Sequence, residues 1–308
     1  MIRSSIDIGT NSVRLLVTDP DVRPLKALVS RLRITRLGRG LDESGLISDE
    51  SARSTVDAVA DFAREAREWN SEPLLFGTAA LREAGNGAEV AERIRSASGC
   101  EVRIVSGNLE ALITFRGALL GLDDARNTMV LDIGGGSTEF ITLNSARTGD
   151  TSRIGLHDIH AVSLKLGSVR QAERHLRSDP PAGREVDCLL EEVSGIVREG
   201  IAGRSAERLC GVAGSVTQLA ALELEMETYD PDRINGYFLP LPRIESWIDR
   251  FARSTVEERR HLKGMVPQRA ETVLAGTAIL RETVRQLGLA GTYVSDFDSL
   301  WGALDGLT

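Results

Sequence analysis

Two stretches of this chain repeat one pattern. SIDIGTNSVRLLVTD (5–19) and VLDIGGGSTEFITLN (130–144) share Asp-Ile-Gly and a Ser at the sixth position of the motif, at an offset of 125 residues. An apolar run enters each motif (Ile6, or Met129 to Leu131) and a β-prone run leaves it (Val13 to Val17, or Glu139 to Leu143). Both predict strand, Gly-rich turn, strand. A unit used twice at this spacing predicts two similar domains facing each other, and 308 residues suits two domains of about 100–200 each.

The remaining sequence alternates. A β-prone stretch over 25–37 is followed by a helix over 49–69 capped by Ser48, a strand over 74–80, a helix over 88–98, a strand over 101–106 and a helix over 109–120. Residues 121–127 mark the crossing to a second domain. That domain continues with helices over 168–177 and 185–201, separated by Pro180-Pro181, a strand over 208–212 and a helix from 215. FLPLP (238–242) punctuates the chain before two or three more helices. The expected fold class is α/β with covered sheets. The domains are 1–123 and 124–308, and the C-terminal end is left open to pack back on the first.

Composition excludes several classes. With 42% hydrophobic and 27% charged residues the chain is neither disordered nor fibrous. No apolar run reaches the ~18–20 residues of a membrane span. The start MIRSSIDIGT lacks a basic-then-apolar secretion pattern, so a cytoplasmic protein is expected. Cys100, Cys188 and Cys210 form no Cys-x-x-Cys pair and read as reduced residues. A net charge of −8 opposes nucleic-acid binding by bulk electrostatics. All but Lys26, Lys165 and Lys263 of the 37 basic residues are Arg. Arg forks suit phosphate, but a GC-rich genome produces the same bias.

The two turns carry the chemistry. In DIGTNS (7–12), glycine admits a close ligand, and Thr10, Asn11 and Ser12 add donors to turn N–H groups, as in a phosphate nest. An ordinary hairpin turn is the competing explanation. DIGGGST (132–138) is more specific: Gly134, Gly135 and Gly136 in succession are entropically costly unless the backbone must press against an anion, with Ser137 and Thr138 donating too. Asp132 and Glu139 beside a polyanion are contradictory unless a divalent cation mediates, and Asp7 fits the same logic. Otherwise Asp132 caps a turn and Glu139 faces solvent. GRGLDESG (38–45) has the wrong glycine spacing for a dinucleotide fingerprint and reads as a surface turn with no helix.

Five motifs in order then identify a resemblance: DIGTNS, GTAALR (77–82), SGNxEA (106–111), DIGGGSTE (132–139) and GVAGS (211–215), with LxLGSVR (164–170), NGY (235–237) and GMVPQRAETVLAG (264–276) following. The chain resembles the exopolyphosphatase / guanosine pentaphosphate phosphohydrolase family of the actin-like, Hsp70-like and sugar-kinase-like ATPase superfamily, from about residue 5 to at least 276. The resemblance implies two ribonuclease-H-like domains around a central cleft and a phosphate loop from each. It implies release of terminal phosphate from inorganic polyphosphate, or from guanosine pentaphosphate as the alternative. By motif, Glu110 matches the residue that orients or deprotonates water, Asp132 and Glu139 the metal-associated acids, and Arg82 a substrate-phosphate ligand. Gly214 and Ser215 match the superfamily's adenosine-side loop, here either flanking the substrate or forming a plain strand-to-helix turn. Magnesium (Mg2+, with Mn2+ as the substitute) is the expected cofactor and a homodimer the expected assembly, with no nucleic-acid or membrane partner.

Departures from the family pattern are Leu109, at a position often acidic or polar in relatives, and SDFDSLWGAL (295–304), which lacks Gly-x-Arg-x-Gly. His157 and His160 have no third ligand nearby and are not expected to bind metal. Arg269 and Lys165 are each split between substrate contact and a surface role. Arg253, Arg259, Arg260 and Lys263 form either a short basic exit track or a solvated helix face. Rivals to the hydrolase are an ATP-dependent kinase, though no sugar-binding segment is recognisable, and a non-catalytic sensor of polyphosphorylated nucleotides.

Overall fold

The structure is a computed structural model and describes residues 1–121, 127–144 and 154–305. The chain divides into two compact units. Unit 1 takes Met1–Gly117 together with the residues from Ser299 onward, and unit 2 takes Ala118–Asp298. The boundary expected at 123/124 lies outside the described residues.

In unit 1, β1 (Arg3–Ile8) and β2 (Ser12–Thr18) form the hairpin of the first DIG motif, and β3 (Ala27–Ile34) adds antiparallel to β2. Then come α1 (Leu41–Ser44), α2 (Asp49–Glu68), β4 (Leu74–Gly77), α3 (Ala79–Glu83), α4 (Gly87–Ser98), β5 (Val102–Ile104) and α5 (Gly107–Leu119). The sheet order is β3-β2-β1-β4-β5, with β4 parallel to β1 and β5 parallel to β4. β1 is buried from Ser4 to Ile8, as a strand covered on both faces must be. On one face Ile6, Ile8, Val13 and Leu15 pack with Val59, Phe62 and Ala63, which α2 presents at three- and four-residue spacing. Ser48 caps α2, its hydroxyl accepting from the Ser51 N–H at 3.2 Å. Phe76, Val105, Ile113 and Ala303 form a separate cluster. The short C-terminal helix (Ser299–Gly302) fits there because Gly302 has no side chain: a Cβ would lie 1.7 Å from the Ile113 carbonyl oxygen.

Unit 2 repeats the plan. β6 (Thr128–Ile133) and β7 (Thr138–Leu143) form the second hairpin, and β8 (Ile159–Leu164) pairs antiparallel with β7. There follow α6 (Ser168–His175), α7 (Gly183–Gly200), β9 (Arg208–Val212), α8 (Ala213–Glu223), α9 (Pro231–Ile234), β10 (Phe238–Pro240), α10 (Leu241–Ala252), α11 (Val256–Arg260), α12 (Val273–Gln286) and β11 (Gly291–Val294). The order β10-β11-β9-β6-β7-β8 carries the same hairpin, third antiparallel strand and flanking parallel strand as unit 1, with β10 added at the edge. Leu131, Phe140, Leu219, Leu274 and Ile279 are central to its core.

The structure corrects several expectations. The strand from 74 stops at Gly77 and gives way to α3, whose Leu81 folds back over Gly77: a Cβ there would sit 2.4 Å from Leu81 Cδ1. GRGLDESG is not a plain surface turn: α1 opens at Leu41, held between left-handed Gly40 and Gly45, and Gly38 packs against Thr10. β8, β10 and β11 arise where no strand was expected; β10 is an edge strand ending in Pro240, which edges tolerate. Arg259 belongs to neither a track nor a solvated face. It is 1% exposed and donates to the carbonyls of Phe251, Ser254 and Ala270. No helix among the described residues is long and apolar enough to cross a membrane.

Candidate active site

The second turn is oriented by its carbonyls. Gly134 O accepts from Ser168 N at 2.9 Å, Gly135 O from Val169 N at 3.0 Å and Arg170 N at 3.2 Å, and Gly136 O from Arg170 Nε at 2.9 Å. In a trans peptide the N–H points opposite to the C=O. Three carbonyls turned toward the start of α6 therefore turn the N–H groups of Gly135, Gly136 and Ser137 the other way, as a row of anion-binding donors. Gly167 makes this possible, since a Cβ there would lie 2.2 Å from Gly135 O. The first turn follows the same rule. Thr10 O accepts from Gly38 N at 2.8 Å, and Asn11 O from Thr35 N at 3.1 Å and Arg36 N at 3.0 Å, turning the N–H groups of Asn11 and Ser12 away. Gly9 N to Ser12 O and Gly134 N to Ser137 O, both 3.0 Å, close the two turns identically.

Hydroxyl groups divide by role. Thr138 Oγ1 donates to Leu166 O, and Ser215 Oγ donates to Ile133 O at 3.0 Å, so both brace the turn. Gly214 underlies the Arg269 guanidinium, whose Nη1 donates to Gly214 O. Arg269 thus lies against the first turn of α8 rather than on an open surface. Lys165 is exposed.

The acids differ between the units. Asp132 and Glu139 are direct partners across β6–β7, both buried, and Ser163 Oγ donates to Glu139 Oε1 at 2.6 Å. Asp7 and Arg14 occupy the equivalent positions across β1–β2 and form an ion pair, with Ser299 Oγ 3.1 Å from Arg14 Nη2 and 3.3 Å from Asp7 Oδ2. Like charges directly opposite on a sheet repel. The first hairpin neutralises its aspartate internally, whereas the second sets two oxygen-only donors side by side. That donor set fits Mg2+, which takes one or two carboxylates and completes its shell with water and phosphate. Asp7, expected to share the metal, has its carboxylate engaged by Arg14. Among the described residues no group of three or more His, Cys, Asp or Glu gathers as a metal cage. His160 instead lies 3.3 Å from Arg204 Nη2.

Arg82 and Glu110 come together. Ser106 opens α5 by accepting from Leu109 N at 3.3 Å, which places Glu110 in the first turn, where the helix dipole favours a carboxylate. Leu109 packs beside Phe76 and Val105. Arg82, in the last turn of α3, donates through Nη1 to Val105 O at 3.0 Å and Glu110 Oε2 at 2.9 Å. Sequence reasoning did not reach Arg170, Arg14 or Ser299. The first two stand inside quoted motifs, but their bonds depend on strands and helices brought together from elsewhere.

Comparison with known proteins places the chain in a family. The profile of the Ppx/GppA phosphatase family matches residues 16–302. Exopolyphosphatase 2 of Mycobacterium tuberculosis is 31% identical, the match covering 97% of this chain and 96% of that protein. A bifunctional 3-dehydroquinate synthase/phosphatase of Fusobacterium nucleatum is 27% identical over 98% of this chain, which spans 46% of that longer protein. A crystal structure of the Aquifex aeolicus Ppx/GppA family member superposes with a TM-score of 0.79 at 28% identity, covering 99% of this chain and 96% of that one. Two sheets of one topology, a Gly-containing hairpin turn closed the same way in each, and this match over nearly the whole chain lead to one conclusion: the protein belongs to the Ppx/GppA phosphatase family, has the actin-like ATPase fold, and is a hydrolase of phosphoric anhydrides.

Proposed function

We propose that this protein is an exopolyphosphatase that releases terminal orthophosphate from short inorganic polyphosphate chains. The row of N–H groups at Gly135, Gly136 and Ser137 carries the proposal, because successive main-chain donors suit the oxygens of a phosphoryl group. The family resemblance assigns Arg82 to a phosphoryl oxygen and the Glu110 carboxylate to the attacking water. The water oxygen bonds to the terminal phosphorus, its proton passes to Glu110, and the P–O bond to the bridging oxygen breaks with its electrons on the shortened chain. Asp132 and Glu139 would hold Mg2+ or Mn2+, which neutralises phosphate charge as a Lewis acid. No covalent enzyme intermediate is involved. The enzyme works as a cytoplasmic homodimer, which light scattering on the purified protein checks.

The experiment is phosphate release from tripolyphosphate, longer polyphosphates and guanosine pentaphosphate under saturating Mg2+. Fastest release from short polyphosphate is expected. Faster release from guanosine pentaphosphate would make it a nucleotide 5′-phosphohydrolase, and tight binding of either without release would make it a sensor.

A further inference from the structure

We propose that Arg170 is a positioning residue that locks the third peptide of the phosphoryl-binding turn. The proposal rests on the hydrolase function above and refines the same site. Main-chain N–H groups of residues 168–170 hold the Gly134 and Gly135 carbonyls, but the partner the structure gives Gly136 O is a side-chain donor, Arg170 Nε at 2.9 Å. In the first turn the equivalent carbonyl, Asn11 O, is held by the main-chain N–H groups of Thr35 and Arg36. The two units thus solve one problem differently, and only in the second does a substitutable side chain do it.

The lock matters because of what flanks it. Glycine turns over between backbone conformations with little steric resistance. If the peptide joining Gly136 to Ser137 rotated by half a turn, its carbonyl would replace the Ser137 N–H and face the substrate's negative charge. Arg170 opposes that rotation through a planar Nε donor fixed relative to its guanidinium. It is half-buried beside Gly167-Ser168, and its own backbone N–H already binds Gly135 O, so its Cα is anchored to the turn that its side chain braces.

The test compares the full-length parent with Arg170→Met and Arg170→Lys on tripolyphosphate and Mg2+. Three readouts are taken: kcat, KM and the rise in melting temperature caused by tripolyphosphate. Arg170→Met is expected to lower kcat by about 10²-fold, the scale of losing one aligned N–H donor, and to shrink the ligand-induced rise while the ligand-free melting temperature stays near the parent's. Arg170→Lys keeps the charge without the fixed planar donor and is expected to recover only a minor part. Values of kcat and KM within about twofold of the parent in Arg170→Met overturn the proposal. So does full recovery in Arg170→Lys, which would mark charge rather than geometry. If Arg170→Met fails to fold, Arg170→Lys carries the comparison. A parent that tripolyphosphate stabilises without phosphate release refutes the exopolyphosphatase function instead, and Arg170 is then judged by the ligand-induced rise alone.

Discussion

Arg82 Nη1 donates to Glu110 Oε2 at 2.9 Å, so the arginine assigned to substrate phosphate and the glutamate assigned to water hold one another within unit 1. Glu110 is 8% exposed, and the helix that carries it begins only three residues earlier. A buried carboxylate in the first turn of a helix, beside a guanidinium, has a fixed place and a defined direction.

Glu110→Gln is expected to lower turnover by roughly 10²–10⁴-fold, the contribution of a positioned acid or base, while leaving binding intact. The amide is nearly isosteric and still accepts from Arg82, so the melting temperature should hardly move. Turnover within a few-fold of the parent would remove Glu110 from the mechanism. Arg82→Met should raise KM, and the double variant should fall short of additivity, as touching residues do.

The Asp132–Glu139 pair predicts opposite effects on activity and stability. Glu139→Gln should raise the Mg2+ concentration needed for half-maximal rate, because it takes an anionic oxygen from the metal's surroundings. In chelator the same change removes like-charge repulsion across β6–β7 and should stabilise the protein by about 0.2–1 kcal/mol. Thermal melts with and without Mg2+ read both effects. A variant less stable than the parent in chelator contradicts the repulsion.

Gly167→Ala and Gly38→Ala should differ. The first sets a Cβ 2.2 Å from the Gly135 carbonyl oxygen, which is backbone, and the second 2.3 Å from Thr10 Cγ2, the end of a rotatable side chain. Overpacking of the first kind costs about 1–3 kcal/mol or displaces the turn. Activity should therefore fall much further in Gly167→Ala, and equal losses would show that the second turn yields as readily as Thr10 does.

Thiol labelling of the native protein should be fast at Cys188 alone. Cys188 is exposed, whereas Cys100 and Cys210 are buried, and burial pushes the Cys210 thiol up to about 12. Thiolate is the reactive form, so Cys210 should stay inert at neutral pH until the protein unfolds. Rapid native reaction at Cys210 would contradict the packing of β9.

Polyphosphate cleavage should be distributive. Arg259 is buried, Arg260 pairs with Glu257 and Glu271, and Lys263 pairs with Glu227, leaving little of the basic track that residues 253–263 suggested. Holding a long polyanion through many turnovers requires such a track. Sized chains resolved on gels should shorten as a ladder. Complete degradation of long chains without intermediates would require a basic surface elsewhere.

The repeated Asp-Ile-Gly motif was sufficient to set the two hairpins, because the change from apolar run to glycine turn to β-prone run is a local property of the chain. The α2 boundary with its Ser48 cap, and the place of Glu110 in the first turn of α5, were legible for the same reason. The short strands β8, β10 and β11 were not: each has six residues or fewer and carries a weak local pattern, so pairing decides it, with the preceding β7 for β8 and with strands distant in sequence for β10 and β11.

Sequence alone picked out the residue types expected around a phosphate: glycines, hydroxyls, Arg82 and the four acids Asp7, Glu110, Asp132 and Glu139. Tertiary structure decided what each of them does. Asp7 and Asp132 both begin an Asp-Ile-Gly motif, yet strand register sets one opposite Arg14, with which it forms an ion pair, and the other opposite Glu139. Arg259 and Arg260 are neighbours in a charged run, yet helix geometry turns one onto carbonyls in the interior and the other to carboxylates at the surface. Charge and hydrogen-bonding capacity are written residue by residue, but their partners are fixed only when strand register and helix packing bring distant segments together.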